Sequence, residues 1–190
     1  VLIVGGTTGV GLIGIQLAKA LGASPVIATT TSGQKAIALT DAGADVVIDT
    51  TAQNLTEAVL AATDGRGADI VLDHIGGEHF ADLPSATALQ GTIVNIGRIA
   101  GPTATIDLDQ LSFRRLRLIG TTFSARSADE IGEVYSTLAR EALALVESGA
   151  VRPVIDSVHA FDAAADAAVR SRDARRAPRL DAELEALEDP

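Results

Sequence analysis

Residues 1–22 read VLIVGGTTGVGLIGIQLAKALG, and this stretch decides which fold the chain adopts. It opens with a short β-branched run, Val1–Val4, that is typical of a buried strand and ends at a glycine-rich turn. The apolar residues that follow the turn at helical spacing are Val10, Ile13, Leu17 and Leu21. We expect this stripe of a first helix to face the core, and Gly22 to end the helix as its C′ residue.

The alternation of strand and helix continues along the chain. Further strands are predicted at residues 25–30, 46–49, 70–72, 92–96 and 116–119. Further helices are predicted at residues 33–42, 54–63, 77–89 and 127–148. Six strands that alternate with helices indicate an α/β fold with a doubly wound, parallel six-stranded sheet, the Rossmann fold. We expect this domain to span residues 1–150.

The pattern changes after residue 150. Residues 151–158 are predicted to form one more strand, and residues 160–170 an alanine-rich helix. Residues 173–190 form a charged tail, which we interpret as a solvated or partner-docking segment or as a remnant of cloning. Because the sequence opens on Val1 rather than on Met, we expect further chain upstream of it.

The composition limits the classes of function. A chain of 190 residues, 47% hydrophobic and 21% charged, has the make-up of one globular domain. Its net charge of −10 argues against binding to nucleic acid or to an anionic membrane. No apolar run approaches the length of a membrane span, and no secretory signal precedes the first strand. With no cysteine and no clustered histidines, we expect no metal site and a cytoplasmic location.

The glycine-rich turn is the first candidate binding site. Its residues are Gly6, Thr7, Thr8, Gly9, Val10 and Gly11. A strand, a tight turn and a helix N-terminus direct free backbone N–H groups and the helix dipole toward an anion such as a diphosphate. Gly6 and Gly11 take the outer places of the pattern GxGxxG, whereas Thr8 takes the middle one. The alternative is a packing turn in a doubly wound protein that binds no nucleotide.

The end of the second predicted strand bears on which nucleotide would bind. NAD sites place an acid about 20 residues past the turn, where it accepts the ribose 2′-hydroxyl. Here no acid occurs between the turn and Asp41, and the candidate partners of a 2′-phosphate are Thr30, Thr31, Ser32 and Lys35. Hydroxyls and an ammonium favour a phosphate, so the sequence predicts NADP(H). The alternative is that these residues are ordinary turn and cap residues, with Lys35 a solvated charge.

Several segments together resemble a known superfamily. The segments VLIVGGTTGVGLIGIQLAKALGA, AGADVVIDT, GRGADIVLDHIGGE and GTIVNIGRIAG resemble the medium-chain dehydrogenases/reductases, and within them the zinc-independent quinone oxidoreductases. The resemblance runs in order from Val1 to about Ala165. The segment SGAVRPVIDSVHAFDAAADA resembles the stretch in which such chains return to their catalytic domain, so residues 151–172 are expected to lead there.

The resemblance implies a set of cofactor contacts. Thr7 to Val10 would face the diphosphate, and Thr30, Ser32 and Lys35 the 2′-phosphate. The residues implied on the nicotinamide side are His74, Ile96, Gly97, Thr121 and Phe123, with Arg126 in a less defined role. Thr50 stands where the family often has a tyrosine near the adenosine, so we expect that contact to be lost.

The resemblance also implies the reaction, a hydride transfer from NADPH to a quinone, an enone or another carbonyl-conjugated small molecule. The N-terminal catalytic domain that supplies most substrate contacts is absent from this chain, and we identify no catalytic residue in it. The alternative function is a non-catalytic NADP(H)-binding module or sensor. Family members commonly pair edge to edge, so we expect a homodimer through the sixth strand, whose residues Arg115 and Arg117 could oppose pairing.

Short-chain dehydrogenases are a rival, because their glycine pattern also fits Gly5, Gly9 and Gly11. Those enzymes protonate the substrate through a tyrosine with a lysine four residues on. The one tyrosine here is Tyr135, and the position four residues later is Ala139, so this interpretation fails.

Overall fold

The computed structural model describes residues 1–155 and 157–169. The chain divides into two compact units, Val1–Pro153 and Val154–Pro190. The strands of the first unit are β1 (Leu2–Val4), β2 (Ile27–Thr30), β3 (Val46–Asp49), β4 (Ala68–Asp73), β5 (Thr87–Asn95) and β6 (Arg117–Gly120). Its α-helices are α1 (Gly9–Ala20), α2 (Ala36–Asp41), α3 (Leu55–Ala61), α4 (Leu83–Ala86), α5 (Leu108–Phe113), α6 (Ala128–Glu141) and α7 (Leu143–Glu147).

All six strands run parallel, in the order β3-β2-β1-β4-β5-β6. This confirms the predicted doubly wound sheet. Chain connections leave β1 in one direction for β2 and β3, and in the other for β4 to β6. The crevice at the carboxyl ends of β1 and β4 is therefore the topological switch point, where open α/β sheets bind their ligands.

The sheet separates two apolar clusters. On β1, Leu2 and Val4 belong to one cluster and Ile3 to the other, because successive strand residues point to opposite faces. The first cluster includes Val59 of α3 and Leu83 of α4, and the second includes Ile15 of α1 and Leu39 of α2. Each of these covered side chains stabilises the fold by roughly 1.5–3 kcal/mol relative to an exposed position.

The predicted core stripe of α1 is wrong. Val10 and Leu21 are 61% and 72% exposed, whereas Leu12 and Ile15 are buried. The cause is Gly11, because a Cβ there would lie 2.5 Å from the carbonyl oxygen of Gly5. Gly11 therefore has to face the glycine-rich turn. Ile15 lies one helical turn later on the same side of α1, so it faces the sheet.

Two predicted helices differ from the structure. Within residues 77–89, Gly77–Asp82 is a 3₁₀ helix, α4 lasts one turn, and β5 already begins at Thr87. The register of β4 and β5 shifts between Ala68 and Ile70, and this irregularity lets the early start of β5 pair with β4. The helix predicted at residues 127–148 is interrupted at Ala142, where φ is −123°.

The strand predicted at residues 151–158 does not form within the described residues 151–155, 157 and 158. The backbone N–H of Val151 donates to the Leu145 carbonyl oxygen at 2.9 Å, and that of Arg152 to Gln16 Oε1 at 2.9 Å. These donors are engaged by α7 and α1 and do not form a ladder. In the second unit, residues 161–169 are helical, as predicted for 160–170 up to the last described residue. The tail predicted at 173–190 lies outside the described residues.

Candidate nucleotide-binding site

Thr8 shapes the turn between β1 and α1. Its hydroxyl donates to the carbonyl oxygen of Gly5 at 2.9 Å and accepts the N–H of Gly11 at 2.9 Å, so Thr8 is the N-cap of α1. Its own N–H donates to the same Gly5 oxygen at 3.1 Å. The residue that departs from the glycine pattern thus stabilises the helix start. No acidic residue occupies the first turn of α1, which leaves the positive end of the helix dipole available.

The turn is also tied to β2. The N–H of Gly5 donates to Thr29 Oγ1 at 2.9 Å, and the N–H of Gly6 to the Thr29 carbonyl oxygen at 3.0 Å. Gly11 packs against the backbone of the turn. A Cβ built on Gly9 has no described atom within 4 Å apart from its chain neighbours and the backbone of α1 itself. The two glycines therefore differ. A side chain at Gly11 would strain the fold, and one at Gly9 would project into open space before the turn.

A cleft of about 320 Å³ opens beside this turn. It is lined by Val4, Gly5, Thr7, Thr8, Thr29, Thr30, Thr31, Thr50, Gln53, Asn54, Leu55, Ile75, His79 and Asp82. Of the predicted site residues, Thr7, Thr8, Thr30 and Thr31 line the cleft. Thr50 also lines it, and its hydroxyl donates to the Thr30 carbonyl oxygen at 3.2 Å. At the position where the family often has a tyrosine, this cleft therefore has the small polar side chain of Thr50.

The loop after β2 holds the residues predicted for a 2′-phosphate. Thr30 is buried, and its hydroxyl both accepts the N–H of Ser32 and donates to the Ser32 carbonyl oxygen, each at 3.1 Å. Ser32 precedes the 3₁₀ turn Gly33–Lys35 without capping it through its side chain. Lys35 is exposed. The loop thus presents the ammonium of Lys35, which takes part in no ion pair within residues 1–155 and 157–169, while the Thr30 hydroxyl is committed to the turn.

An acid missed in the sequence also adjoins this loop. Asp49 ends β3 directly opposite Thr30 of β2, and its carboxylate accepts the hydroxyl of Thr51 at 2.7 Å and the N–H of Thr51 at 3.0 Å. These bonds, with a further one from the N–H of Gly33, lower the pKa of Asp49. Asp49 lies outside the stretch after β2 in which NAD sites place their acid, but the parallel pairing of β2 with β3 brings it to the same edge of the sheet.

The residues predicted for the nicotinamide side lie at the carboxyl ends of β4 and β5. His74 is buried, its Nδ1 is 3.0 Å from the Val4 carbonyl oxygen, and burial is the main cause of its lowered pKa. The N–H groups of Ile96 and Gly97 donate to the Asp73 carbonyl oxygen at 2.7 and 3.0 Å. Gly97 packs so tightly on the backbone of His74 that no Cβ would fit. His74, Ile96 and Gly97 form a closely packed wall at the strand ends, and none of them lines the cleft at the turn. The lowered pKa of His74 favours its neutral imidazole.

The remaining predicted residues follow β6. The N–H of Thr121 donates to the Asn95 carbonyl oxygen at 3.1 Å, which fixes the loop to β5. Phe123 is 57% exposed, and the guanidinium of Arg126 lies 6.0 Å from the centre of its ring. The Nε–H of Arg126 donates to the Thr122 carbonyl oxygen at 3.1 Å. None of these lines the cleft at the turn.

A buried carboxylate that sequence reasoning missed connects the strand ends. Asp73 is 1% exposed and accepts the N–H groups of Ile75 and Gly76 at 2.9 and 3.0 Å, as well as Asn95 Nδ2 at 3.0 Å. Asn95 in turn accepts Arg98 Nη1 at 3.0 Å. Arg98 lines a second cleft, of about 340 Å³, next to β6. The sequence signal was an Asp at the end of β4 with an Asn at the matching end of β5.

Among residues 1–155 and 157–169, no group of three or more histidine, cysteine, aspartate or glutamate side chains is placed to hold a metal ion. No helix in that part of the chain has the length and apolar character needed to cross a membrane.

A parallel sheet in this strand order, with a capped glycine turn and a cleft at the switch point, defines a Rossmann-type nucleotide-binding domain. The family model described as zinc-binding dehydrogenase matches residues 9–148. The chain belongs to this family, in the quinone oxidoreductase branch of the medium-chain dehydrogenase/reductase superfamily. The resemblance seen in the sequence is confirmed.

Three individual proteins illustrate the similarity of this chain to its relatives. It is 33% identical to a quinone oxidoreductase of Pseudomonas aeruginosa over 159 residues, which cover 84% of this chain and 48% of that protein. It is 30% identical to an NAD-dependent alcohol dehydrogenase of Sulfolobus acidocaldarius, over 88% of this chain and 45% of that protein. The structure of Escherichia coli quinone oxidoreductase complexed with NADPH is similar with a TM-score of 0.69 and 27% identity, over 81% of this chain and 47% of that one. The chain thus spans about half the length of these relatives.

Proposed function

We propose that this chain is the NADPH-binding part of an NADP-dependent oxidoreductase that reduces a quinone, an enone or another carbonyl-conjugated small molecule. The observation that carries the proposal is the cleft at the switch point, which begins at the N-terminus of α1. The similarity to an oxidoreductase with NADPH in its structure supports it.

The turn fits a diphosphate. Thr7 and Thr8 line the cleft, the first turn of α1 carries no acid, and Gly9 leaves space in front of the backbone. With a net charge of −10 the protein as a whole repels anions, so the local N–H groups and helix dipole of Thr7 to Val10 would have to hold the phosphates. Gly6 and Gly11 let the turn, the helix and the sheet pack closely behind them.

The choice of NADPH over NADH rests on the loop after β2. Lys35 supplies the cation there, with Thr30 and Ser32 beside it. Asp49 opposes a 2′-phosphate, but its carboxylate already accepts hydrogen bonds from Thr51 and is oriented by them. We therefore expect a preference of about tenfold, or 1.4 kcal/mol, rather than complete exclusion of NADH.

The nicotinamide ring, when bound, would supply the hydride, and this chain's share is to position it. The wall of His74, Ile96, Gly97 and Thr121 would hold the ring, and Phe123 and Arg126 would cover it from the loop after β6. The lowered pKa of His74 keeps its imidazole neutral near pH 7, so it adds no charge beside the ring. We assign no proton donor in this chain.

The substrate contacts would come from a catalytic domain, to which we propose that residues 151–172 lead back from the nucleotide domain of residues 1–150. We further propose that the enzyme works in the cytoplasm, without zinc, and as a homodimer through β6. The dimer is supported by the free edge of that strand, on which Leu118 and Ile119 are 43% and 46% exposed. An unpaired apolar edge favours pairing with a second copy.

A titration tests the proposal. The chain has no tryptophan, so the fluorescence of NADPH itself can be followed as protein is added. We expect saturable binding, and no saturable change would refute the proposal. Turnover of NADPH with 1,4-benzoquinone by the same sample would refute the non-catalytic module, whereas binding without turnover agrees with both candidate functions.

A further inference from the structure

The nucleotide cleft has an end that none of the assigned phosphate contacts uses. If the diphosphate lies at the start of α1 and the 2′-phosphate after β2, the rest of the lining comes from the start of α3 and from the segment after β4. The apolar walls there are Leu55 and Ile75, and the polar side chains are Gln53, Asn54, His79 and Asp82. Flat apolar walls with a polar rim suit a nucleobase.

The polar side chains at this end of the cleft differ in which hydrogen bonds they can still form with a ligand. Asn54 Oδ1 accepts the N–H of Glu57 at 3.0 Å and is committed as the N-cap of α3. Gln53 Oε1 accepts the N–H of Asp49 at 3.0 Å, so the donors that remain to Gln53 are those of its NH₂ group. The carboxylate of Asp82 is exposed and, among the described residues, takes part in no ion pair. A carboxylate only accepts hydrogen bonds.

The position of Asp82 is fixed from both sides. It is the last residue of the 3₁₀ helix Gly77–Asp82, and its carbonyl oxygen accepts the hydroxyl of Thr56 from α3 at 3.4 Å. This hydrogen bond joins the two walls of this end of the cleft at Asp82, which is exposed and lines the cleft.

We propose that Asp82 selects adenine by its exocyclic amino group. The carboxylate accepts an N–H of that group, and the NH₂ group of Gln53 donates to a ring nitrogen. A purine with an oxo group at this position presents the opposite pattern, an acceptor facing the carboxylate and a ring N–H facing the Gln53 donors. Asp82 is then a specificity-determining residue of the site, and this inference rests on the proposed function.

The test compares NADPH with nicotinamide hypoxanthine dinucleotide phosphate by calorimetric titration of the whole chain. The two differ only in this exocyclic group and in the proton on the ring nitrogen beside it. We expect wild type to bind NADPH about tenfold more tightly, as the loss of a hydrogen bond to a charged group predicts. In Asp82→Ala the two affinities should agree within about twofold, and Asp82→Asn should also reduce the ratio, since an amide can donate to the oxo group.

The matched control is Glu78→Gln, an exposed acid of the same 3₁₀ helix that does not line the cleft, and it should keep the wild-type ratio. Circular dichroism checks that each variant is folded. Equal binding of both dinucleotides by wild type, or an unchanged ratio in Asp82→Ala, overturns the inference and leaves the proposed function standing. If wild type binds neither dinucleotide, the proposed function fails, and the inference fails with it.

Discussion

Two glycines of the same turn allow binding to be separated from folding. An ideal Cβ on Gly11 would lie 2.5 Å from the Gly5 carbonyl oxygen and 2.8 Å from that of Gly6. Carbon and oxygen normally approach to about 3.3 Å, so α1 would have to move by roughly 0.8 Å to admit a side chain. Overpacking of this kind costs about 1–3 kcal/mol or more, a large part of the stability of a domain. Gly11→Val should therefore fold poorly.

Gly9→Val should behave differently. Apart from its chain neighbours and the backbone of α1 itself, no described atom lies within 4 Å of a Cβ at Gly9, and valine is no worse than glycine in a helix. We expect the free energy of unfolding to change by less than about 0.5 kcal/mol. The new methyl groups would occupy the space in front of the turn, so NADPH should bind at least about a hundredfold more weakly, a loss of about 2.8 kcal/mol.

The assay is a fluorescence titration with NADPH, paired with a urea unfolding curve for each variant. The control is Gly132→Val in α6, because Gly132 is also exposed and also has no atom within 4 Å of its Cβ. That variant should keep both the stability and the affinity of wild type. A folded Gly9→Val variant that binds NADPH as tightly as wild type would show that the ligand does not approach the turn, and would refute the reasoning.

Three other perturbations test separate parts of the site and the assembly. Lys35→Ala should reduce the roughly tenfold preference for NADPH and leave the affinity for NADH nearly unchanged. The control variant Lys19→Ala, which breaks the ion pair with Asp45 elsewhere, should keep the preference of wild type. Titrations of each variant with both nucleotides measure the preference. Leu118→Pro should convert a dimer into monomers, and a 19.4 kDa particle for wild type in light scattering at micromolar concentration would contradict the proposed pairing. The pKa of His74 is lower in the folded chain than in the unfolded one, so unfolding takes up a proton below about pH 6.5. The free energy of unfolding should therefore fall as the pH drops from about 6.5 toward the lowered pKa. The fall should be smaller in His74→Gln, as urea unfolding at a series of pH values would show.

The sequence by itself determined the architecture. Strand and helix are encoded locally, because period-two and period-3.6 apolar patterns need only a few neighbouring residues to be recognised. The glycine turn after Val4 was recognisable for the same reason, and so was the end of β2. The local apolar pattern did not determine the rotation of α1 about its own axis, because several stripes of that apolar helix could have faced the core. The backbone contact at Gly11 decides which stripe does so.

Only the tertiary structure decided which side chains share the cleft. Asp49 lies beside the loop after β2 because β2 and β3 are parallel neighbours whose carboxyl ends meet at one edge. His79 is exposed, and the 3₁₀ helix after β4 brings it and Asp82 to the cleft with Gln53. Gln53 lies more than twenty positions before His79 and Asp82 in the chain, so no local pattern links it to them. Their proximity follows from the strand order of the sheet, which places the loops after β3 and β4 on either side of the turn after β1.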